Sequence, residues 1–292
     1  MKKNLFSRTI TILLTSMLLL AAFSLIVYQN MVKGIAYAAS IEEIYYGDDG
    51  YAGGGEATLQ TETFTYATQK VTASKLLNKS FPAYNNMNSA LTNFCANVAG
   101  ANIIGYYDRY YENLIPDCVP GVMRGTNYTY YPMANNSAKR QAVIDDLYVR
   151  MNTNVSGAGT TQAQYKNGLT SYVNAKGKSI FFSSVITNGR LDIAKLNQAL
   201  NSGNPVSLYL SGYNITEIID NNGTVTLAKS IYPNDHIMVV YGYQSVEYYG
   251  SNNKLVASKT YLYITSGIKS VTGYYVIENN GTINDAEAVS IS

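Results

Sequence analysis

The feature that most constrains the fold is an apolar helical pattern over residues 93–111, which begins beside a cysteine. Apolar or small side chains recur there at three- and four-residue spacings: Cys95, Val98, Ala99, Ala101, Ile103, Ile104 and Tyr107. This spacing predicts a helix that is buried on most of its girth and ends near Leu114. Cys95 lies in its first turn, where the positive end of the helix lowers the pKa of a thiol below its free value of about 8.5. The sequence therefore predicts a reactive cysteine at the start of a central buried helix.

The charge and the composition of the chain indicate which classes of molecule it could bind. The formal net charge is +2, and no basic cluster follows the first residues, so a nucleic-acid partner is not indicated. The chain has 28 tyrosines and only 14% charged residues. Tyrosine-rich surfaces contact other surfaces or polymers because the ring is apolar and its tip is polar. A general compositional bias is the alternative explanation.

The N-terminal segment has the pattern of a secretory signal peptide. Lys2, Lys3 and Arg8 precede an apolar run over residues 10–28, and the small residues Ala36 and Ala38 follow it. We predict cleavage after Ala38, which gives a secreted protein. The apolar run approaches the roughly 20 residues that span a bilayer, so an uncleaved membrane anchor is the alternative.

The remaining chain divides into two parts. Residues 39–80 are rich in Gly, Thr, Tyr and acidic residues with little periodicity, and we interpret them as a flexible leader or short pro-segment. Residues 81–292 are long enough for one sizeable core. The prediction is a single, monomeric main domain that starts near Phe81.

A second cysteine, Cys118, raises the question of a disulfide. Secreted domains use such bridges. However, the predicted helix would carry Cys95 and Cys118 apart by about 1.5 Å per residue, whereas a bridge needs Cα atoms within about 7 Å. The sequence therefore favours two free thiols.

Helices precede strands along the chain. Three further amphipathic patterns cover residues 138–151, 162–175 and 191–200. After Pro205 the apolar spacing alternates, which is typical of strands, and turn residues at 221–223, 250–253 and 279–281 predict hairpins. This order predicts an α+β fold, with the N-terminal central helix packed on a C-terminal antiparallel β-sheet.

His236 is the only histidine in the chain and stands at the start of a strand-like run over residues 237–243. An imidazole at a sheet end can accept the proton of a thiol at a helix start and later return it to a leaving amine. A partly exposed structural histidine is the alternative. The sequence therefore offers Cys95 and His236 as a candidate nucleophile and base.

Three segments carry a family resemblance: residues 93–108 around Cys95, residues 203–208 (Gly203-Asn204-Pro205-Val206-Ser207-Leu208), and residues 236–243 beginning with His236. In order and spacing they resemble the papain superfamily of cysteine peptidases, with the bacteriocin-leader-peptidase-like and streptopain-like secreted enzymes of Gram-positive bacteria as the nearest branches. Cys95 and His236 are 141 positions apart, within the roughly 130 to 150 of papain-type chains. The resemblance, which covers residues 81–292, implies a papain-like cysteine proteinase fold. It also implies hydrolysis of peptide bonds in a peptide or protein substrate through a thioester on Cys95, with His236 as acid and base and without a cofactor.

The chain departs from the family pattern at two supporting positions. The family places a glutamine about six residues before the cysteine to stabilise the oxyanion, a contribution of about 3 to 4 kcal/mol. Ser89 stands there, and the adjacent Asn88 is offered as a replacement donor. The residue that orients the histidine is usually Asn or Asp, and here it is Thr265. These departures predict a weakened rate more than a changed mechanism.

Other site chemistries have little support in the sequence. One histidine and two separated cysteines do not form a zinc ligand set, and Asp48-Asp49 lacks the spacing of a calcium loop. The alternative to the peptidase is a catalytically weak or inactive peptidase-like module that binds peptides or cell-surface polymers through its tyrosines. A membrane partner is predicted only if the N-terminal segment stays uncleaved.

Overall fold

The computed structural model describes residues 44–47, 57–77, 81–118, 122–124, 127–129, 137–268, 272–276 and 282–292. The predicted signal peptide, its cleavage site and the alternative anchor lie outside these residues. Residues Ile44–Ser292 form one compact unit. No helix within the described ranges is long and apolar enough to cross a membrane.

The described residues form four helices and a large antiparallel sheet. The helices are α1 (Cys95–Asp108), α2 (Ser137–Arg150), α3 (Gln162–Ala175) and α4 (Ile193–Asn201). The strands are β1 (Tyr45–Tyr46), β2 (Thr58–Thr65), β3 (Thr68–Leu76), β4 (Val122–Arg124), β5 (Asn127–Thr129), β6 (Thr160–Thr161), β7 (Ile180–Ser184), β8 (Ile186–Thr187), β9 (Arg190–Leu191), β10 (Val206–Asn221), β11 (Thr224–Tyr249), β12 (Leu255–Thr265), β13 (Thr272–Val276) and β14 (Thr282–Ile291). The mixed arrangement of helices and antiparallel strands is the one that the sequence predicts, and α3 has the predicted bounds.

Helix α1 is buried along its whole length. It packs against α2 and α3 and against β11 of the sheet. A Cβ on Gly100 would lie 3.1 Å from the side chains of Leu147, Met151 and Leu169. Glycine at this position therefore lets the two neighbouring helices approach the backbone of α1 closely.

Two helix ends differ from the prediction for local reasons. Helix α1 ends at Asp108 instead of near Leu114, and the Asp108 carboxylate accepts a hydrogen bond from the Ile115 backbone N–H at 2.8 Å, which stabilises the turn that follows. Helix α4 begins after Asp192, whose side chain accepts hydrogen bonds from the first N–H groups of the helix. Such an N-cap fixes where the helix starts, so the preceding Leu191 lies in β9.

The strands of the main sheet are ordered β2-β11-β12-β13-β10-β14-β7, with β3 also paired to β11 and β10 paired directly to β11. Asn222 and Gly223, at φ 46 and 92, link β10 to β11, so the predicted hairpin at 221–223 is confirmed. Residues 250–254 link β11 to β12, as predicted. The predicted turn at 279–281 lies outside the described residues.

His236 lies inside a strand instead of at its start. Strand β11 runs from Thr224 to Tyr249, and His236 pairs with Leu210 of β10. The strand starts earlier than predicted because its first residues find partners on both sides, in β10 and in β2. Val225, Leu227 and Ile231 alternate in that first half, but Lys229 and the Pro233-Asn234-Asp235 segment interrupt the apolar spacing before His236.

The predicted flexible leader contains three strands. β2 pairs with the first half of β11 and β3 with its second half, so residues 58–76 belong to the main sheet. β1 pairs with β6 just before α3. The leader thus has regular structure that its Gly- and Thr-rich composition does not predict, while its role as a pro-segment stays a prediction.

Helices cover both faces of the sheet. On β10, Tyr209 lies in the core cluster that contains α1, α2 and α3. The alternate residues Leu208 and Leu210 lie in a second cluster with Leu196 and Leu200 of α4. The alternation of strand side chains therefore builds two apolar layers, and α1 occupies the larger one.

Candidate functional site

Cys95 is the first residue of α1 and is 2% exposed. Phe94 precedes it as the N-cap and makes no side-chain capping bond. Asn93 adopts a left-handed φ of 56, and its amide donates a hydrogen bond to Asn154 Oδ1 at 2.9 Å. The Asn154 amide in turn donates to the Thr92 carbonyl at 3.1 Å. The loop before the thiol is therefore held by side-chain bonds, and the positive end of α1 lies at the cysteine.

His236 is 1% exposed, and its Nε2 atom lies 2.8 Å from the backbone carbonyl oxygen of Ser266. A carbonyl oxygen only accepts hydrogen bonds, so Nε2 is the nitrogen that donates. In the neutral imidazole this leaves Nδ1 as the proton acceptor. Ser266 therefore fixes the tautomer that a base for a thiol requires.

The start of α1 and the histidine segment of β11 approach each other through Gly47. The Gly47 N–H donates to the Asp235 carbonyl at 3.3 Å. A Cβ on the same glycine would lie 3.1 Å from Asn93 Oδ1. Since Asp235 precedes His236 and Asn93 lies two residues before Cys95, the two candidate residues lie in the same part of the molecule.

A second contact supports the same placement. Gly267 follows the residue whose carbonyl binds His236, and it adopts a positive φ of 75. A Cβ on Gly267 would lie 3.0 Å from Val98 Cγ1. Val98 is one turn of α1 beyond Cys95, so the segment that orients the imidazole also packs on the helix of the thiol.

Tyr46 of β1 is a site residue that sequence reasoning missed. It is 2% exposed and packs on Tyr209, with ring centroids 5.6 Å apart. Burial raises the pKa of its hydroxyl to about 12, and the neighbouring charges of Asp235 and Cys95 act in the same direction. Asn284 Nδ2 donates to this hydroxyl at 3.3 Å. Because Tyr46 lies in the predicted flexible leader, no sequence signal marked it.

The proposed replacement donors for the oxyanion are engaged elsewhere. Asn88 Nδ2 donates to Asp145 Oδ1 of α2 at 3.2 Å, and Asn88 Oδ1 accepts from the Ala90 N–H. Ser89 is exposed. The Asn88 amide is thus directed to α2, and the role of either residue at the oxyanion stays a prediction.

Thr265 is buried, and its hydroxyl makes no hydrogen bond within the described part of the chain. The group that bonds to His236 is the backbone carbonyl of the next residue, Ser266. The sequence prediction of a side-chain contact from Thr265 is therefore replaced by a main-chain contact one position later. A backbone carbonyl carries no signature in the sequence, which is why the pattern did not reveal it.

Neither cysteine forms a disulfide, and both are buried. Burial raises the pKa of the Cys118 thiol to about 11, and the nearby Asp108 acts in the same direction. Cys118 therefore stays a thiol at neutral pH. Among the described residues, no group of three or more His, Cys, Asp or Glu side chains is arranged to hold a metal ion.

No known protein-family model matches the chain, and no curated protein matches its sequence. Among solved structures, the chain is similar to active wild-type interpain A cysteine protease from Prevotella intermedia. The TM-score is 0.35 and the sequence identity is 13%, over 77% of this chain and 95% of that chain. A likeness this distant establishes neither a family nor an activity, so the function is argued from the site itself.

Proposed function

We propose that the chain is a cysteine peptidase of papain-like architecture, with Cys95 as the nucleophile and His236 as the acid and base. The observation that carries the proposal is the hydrogen bond from His236 Nε2 to the Ser266 carbonyl. This bond leaves His236 Nδ1 as the nitrogen that can accept a proton. His236 lies in the segment of β11 that approaches the start of α1. A thiol at a helix start and an imidazole of fixed tautomer are the two groups that thiol-dependent acyl transfer needs.

The reaction would proceed in two stages. His236 Nδ1 takes the proton of the Cys95 thiol, and the sulfur attacks the carbonyl carbon of the peptide bond. The N–H groups in the first turn of α1 stabilise the resulting oxyanion. The imidazolium then protonates the leaving amine as the C–N bond breaks. Water, deprotonated by the same imidazole, hydrolyses the thioester and restores the thiol.

Two features of the site predict a slow enzyme in the full chain. Cys95 and His236 are both almost completely buried, with Tyr46 of β1 in the same region. In addition, the Asn88 amide donates to Asp145 and Ser89 is exposed, so we propose that neither side chain donates to the oxyanion. We therefore propose that a substrate reaches the thiol only when β1 moves, and that the oxyanion depends on the helix N–H groups.

Competitive alkylation tests the pair because Cys118 is a matched control. The two thiols are both almost completely buried, at 2% and 0%, and the raised pKa of Cys118 makes it the unactivated reference. The contribution of His236 is the change in the Cys95 rate between the wild-type chain and His236→Ala. We expect iodoacetamide to label Cys95 faster than Cys118 at pH 7, and His236→Ala to abolish this advantage. Rates are read by mass spectrometry of the two cysteine peptides in the full chain.

Hydrolysis of unfolded casein provides the second arm. We expect slow cleavage by the wild-type chain and none by Cys95→Ala. Equal labelling of the two thiols together with intact casein would contradict the peptidase and favour the binding module predicted as its alternative. We also propose that the protein is secreted, which N-terminal sequencing of material from the culture medium tests.

A further inference from the structure

The imidazole of His236 stacks on an aromatic ring of the neighbouring strand. The ring centroids of His236 and Tyr213 are 4.3 Å apart, with an angle of 19° between the planes. Tyr213 in turn stacks on Tyr232, at 4.7 Å and 8°. Both His236 and Tyr213 are 1% exposed. The histidine is therefore the buried end member of a stack of three rings, whose other end, Tyr232, is partly buried.

A slip in strand register produces this stack. β10 and β11 pair regularly up to Ser211, which lies opposite Asp235, but Tyr213 then lies opposite Tyr232. Gly212 of β10, at φ 70, therefore lies opposite two residues of β11, Pro233 and Asn234. Regular pairing would instead have placed Tyr213 opposite Pro233. Irregularities of this kind redirect a side chain, and here the slip pairs the two tyrosine rings next to the histidine.

We propose that Tyr213 is a positioning residue for His236: its ring fixes the plane of the imidazole and stabilises the imidazolium formed during catalysis. The proposal rests on the proposed function for its role in peptide hydrolysis, although the stack itself does not. The hydrogen bond to Ser266 restrains the imidazole at Nε2. The Tyr213 face restrains rotation about that bond, so Nδ1 keeps one direction.

Burial of the imidazole also affects the stability of its charged form. Loss of water disfavours the charged imidazolium, whereas the negative face of an aromatic ring attracts a cation stacked on it. Two of the side chains nearest the imidazole, Tyr213 and Tyr232, belong to the ring stack, and Asp235 precedes His236 on β11. Tyrosine and aspartate side chains carry no positive charge in any protonation state, so none of the three opposes the imidazolium electrostatically.

The test uses the fact that the chain has one histidine. With 13C-labelled histidine, the full-length protein gives a single imidazole signal whose pH titration is the pKa of His236 without further assignment. The titration is done in a Cys95→Ala background, so it does not depend on peptidase activity. We expect Tyr213→Leu to lower the His236 pKa by about 1, a tenfold loss of proton affinity, and Tyr213→Phe to leave it within a few tenths.

Replacing Tyr213 by pentafluorophenylalanine keeps the size of the ring and reverses the charge of its face. We expect the same fall in the His236 pKa as in the leucine variant, and this arm decides the question if Tyr213→Leu does not fold. Tyr248→Leu is the matched control, because Tyr248 is a buried ring of β11 that stacks edge-on with Phe64 and Tyr66, away from the histidine. It should leave the pKa unchanged.

An unchanged His236 pKa in the pentafluorophenylalanine protein would overturn the proposal and leave the stack as ordinary core packing. In the background with Cys95 restored, the proposal also requires Tyr213→Leu to reduce the labelling advantage of Cys95 over Cys118. If the titration behaves as expected but wild-type Cys95 shows no advantage, the stack stands and the peptidase fails. The two proposals are therefore distinguishable.

Discussion

Replacing Asp108 by asparagine should remove a pH dependence of stability that the wild-type chain carries. Asp108 ends the central helix and is 1% exposed. One carboxylate oxygen accepts the Ile115 N–H, whereas Oδ2 has no hydrogen-bond partner in the part of the chain that the structure describes. Burial raises the pKa of this carboxyl from 3.8 to about 7, against the opposing effect of the Ile115 bond. The folded chain therefore prefers Asp108 protonated.

The magnitude follows from linkage between protonation and folding. Because the folded pKa is raised, the contribution of Asp108 to stability is complete below its unfolded pKa of 3.8 and is lost as the pH rises through 7. At pH 5 the folded state retains about 3 kcal/mol of this contribution, and at pH 8 almost none. For a domain of this size, the loss corresponds to a fall in Tm of about 5 to 10 °C.

Urea unfolding at pH 5, 6, 7 and 8 measures this dependence. Asp108→Asn keeps an oxygen that can accept the Ile115 N–H and has no charge to titrate, so we expect a flatter stability profile than in the wild-type chain. Asp117→Asn is the control, because its carboxylate lies in the following turn and is 92% exposed; the wild-type slope should persist there. All three proteins share their other titratable groups, so the comparison isolates the contribution of Asp108. An Asp108→Asn profile parallel to the wild-type one would refute the reasoning.

Two further predictions concern the segment before residue 80. Glu62 of β2 binds Lys229 at 2.6 Å and Lys259 at 2.8 Å, and these lysine side chains are only 6% and 9% exposed. Glu62→Gln leaves two buried ammonium groups without their anion, so we expect the free energy of unfolding in urea to fall by about 2 to 3 kcal/mol. Changing both lysines to Met in the same variant should recover most of this stability. A Glu62→Gln protein as stable as the wild-type chain would contradict the prediction. Tyr46→Ala removes a buried ring from the region of Cys95, so we expect faster alkylation of that thiol with no change at the second cysteine; an unchanged rate would show that β1 does not restrict access.

Most of the helices could be predicted from the sequence, because the signals for helix formation lie within a few residues of one another. The spacing of apolar residues located α3 at its observed bounds and the start of α1 at Cys95, and the Asn222-Gly223 dipeptide located the β10–β11 hairpin. The C-terminal end of α1 and the start of α4 differ by a few residues from their predicted positions, because the side chains of Asp108 and Asp192 accept hydrogen bonds from nearby backbone N–H groups. Such bonds are local in sequence, but apolar spacing does not report them.

Residues 44–76 were predicted poorly for a different reason. Their strands have few apolar residues, and β2 and β3 form because β11 offers two long edges for pairing. Pairing partners about 170 residues apart in the sequence leave no periodic signal in either segment. For the same reason, the sequence pattern of this Gly- and Thr-rich stretch did not identify Tyr46 as a residue of the core beside the site.

By itself, the sequence determined the candidate nucleophile and base, since it holds one cysteine at a helix start and one histidine in a strand-like run. The tertiary structure decided what surrounds them: the Ser266 carbonyl on Nε2, the Tyr213 ring on the imidazole face, and Tyr46 over the same region. These contacts come from a main-chain atom, a slip in strand register and a distant leader strand. Each depends on how segments far apart in the chain meet, and so only the folded molecule specifies it.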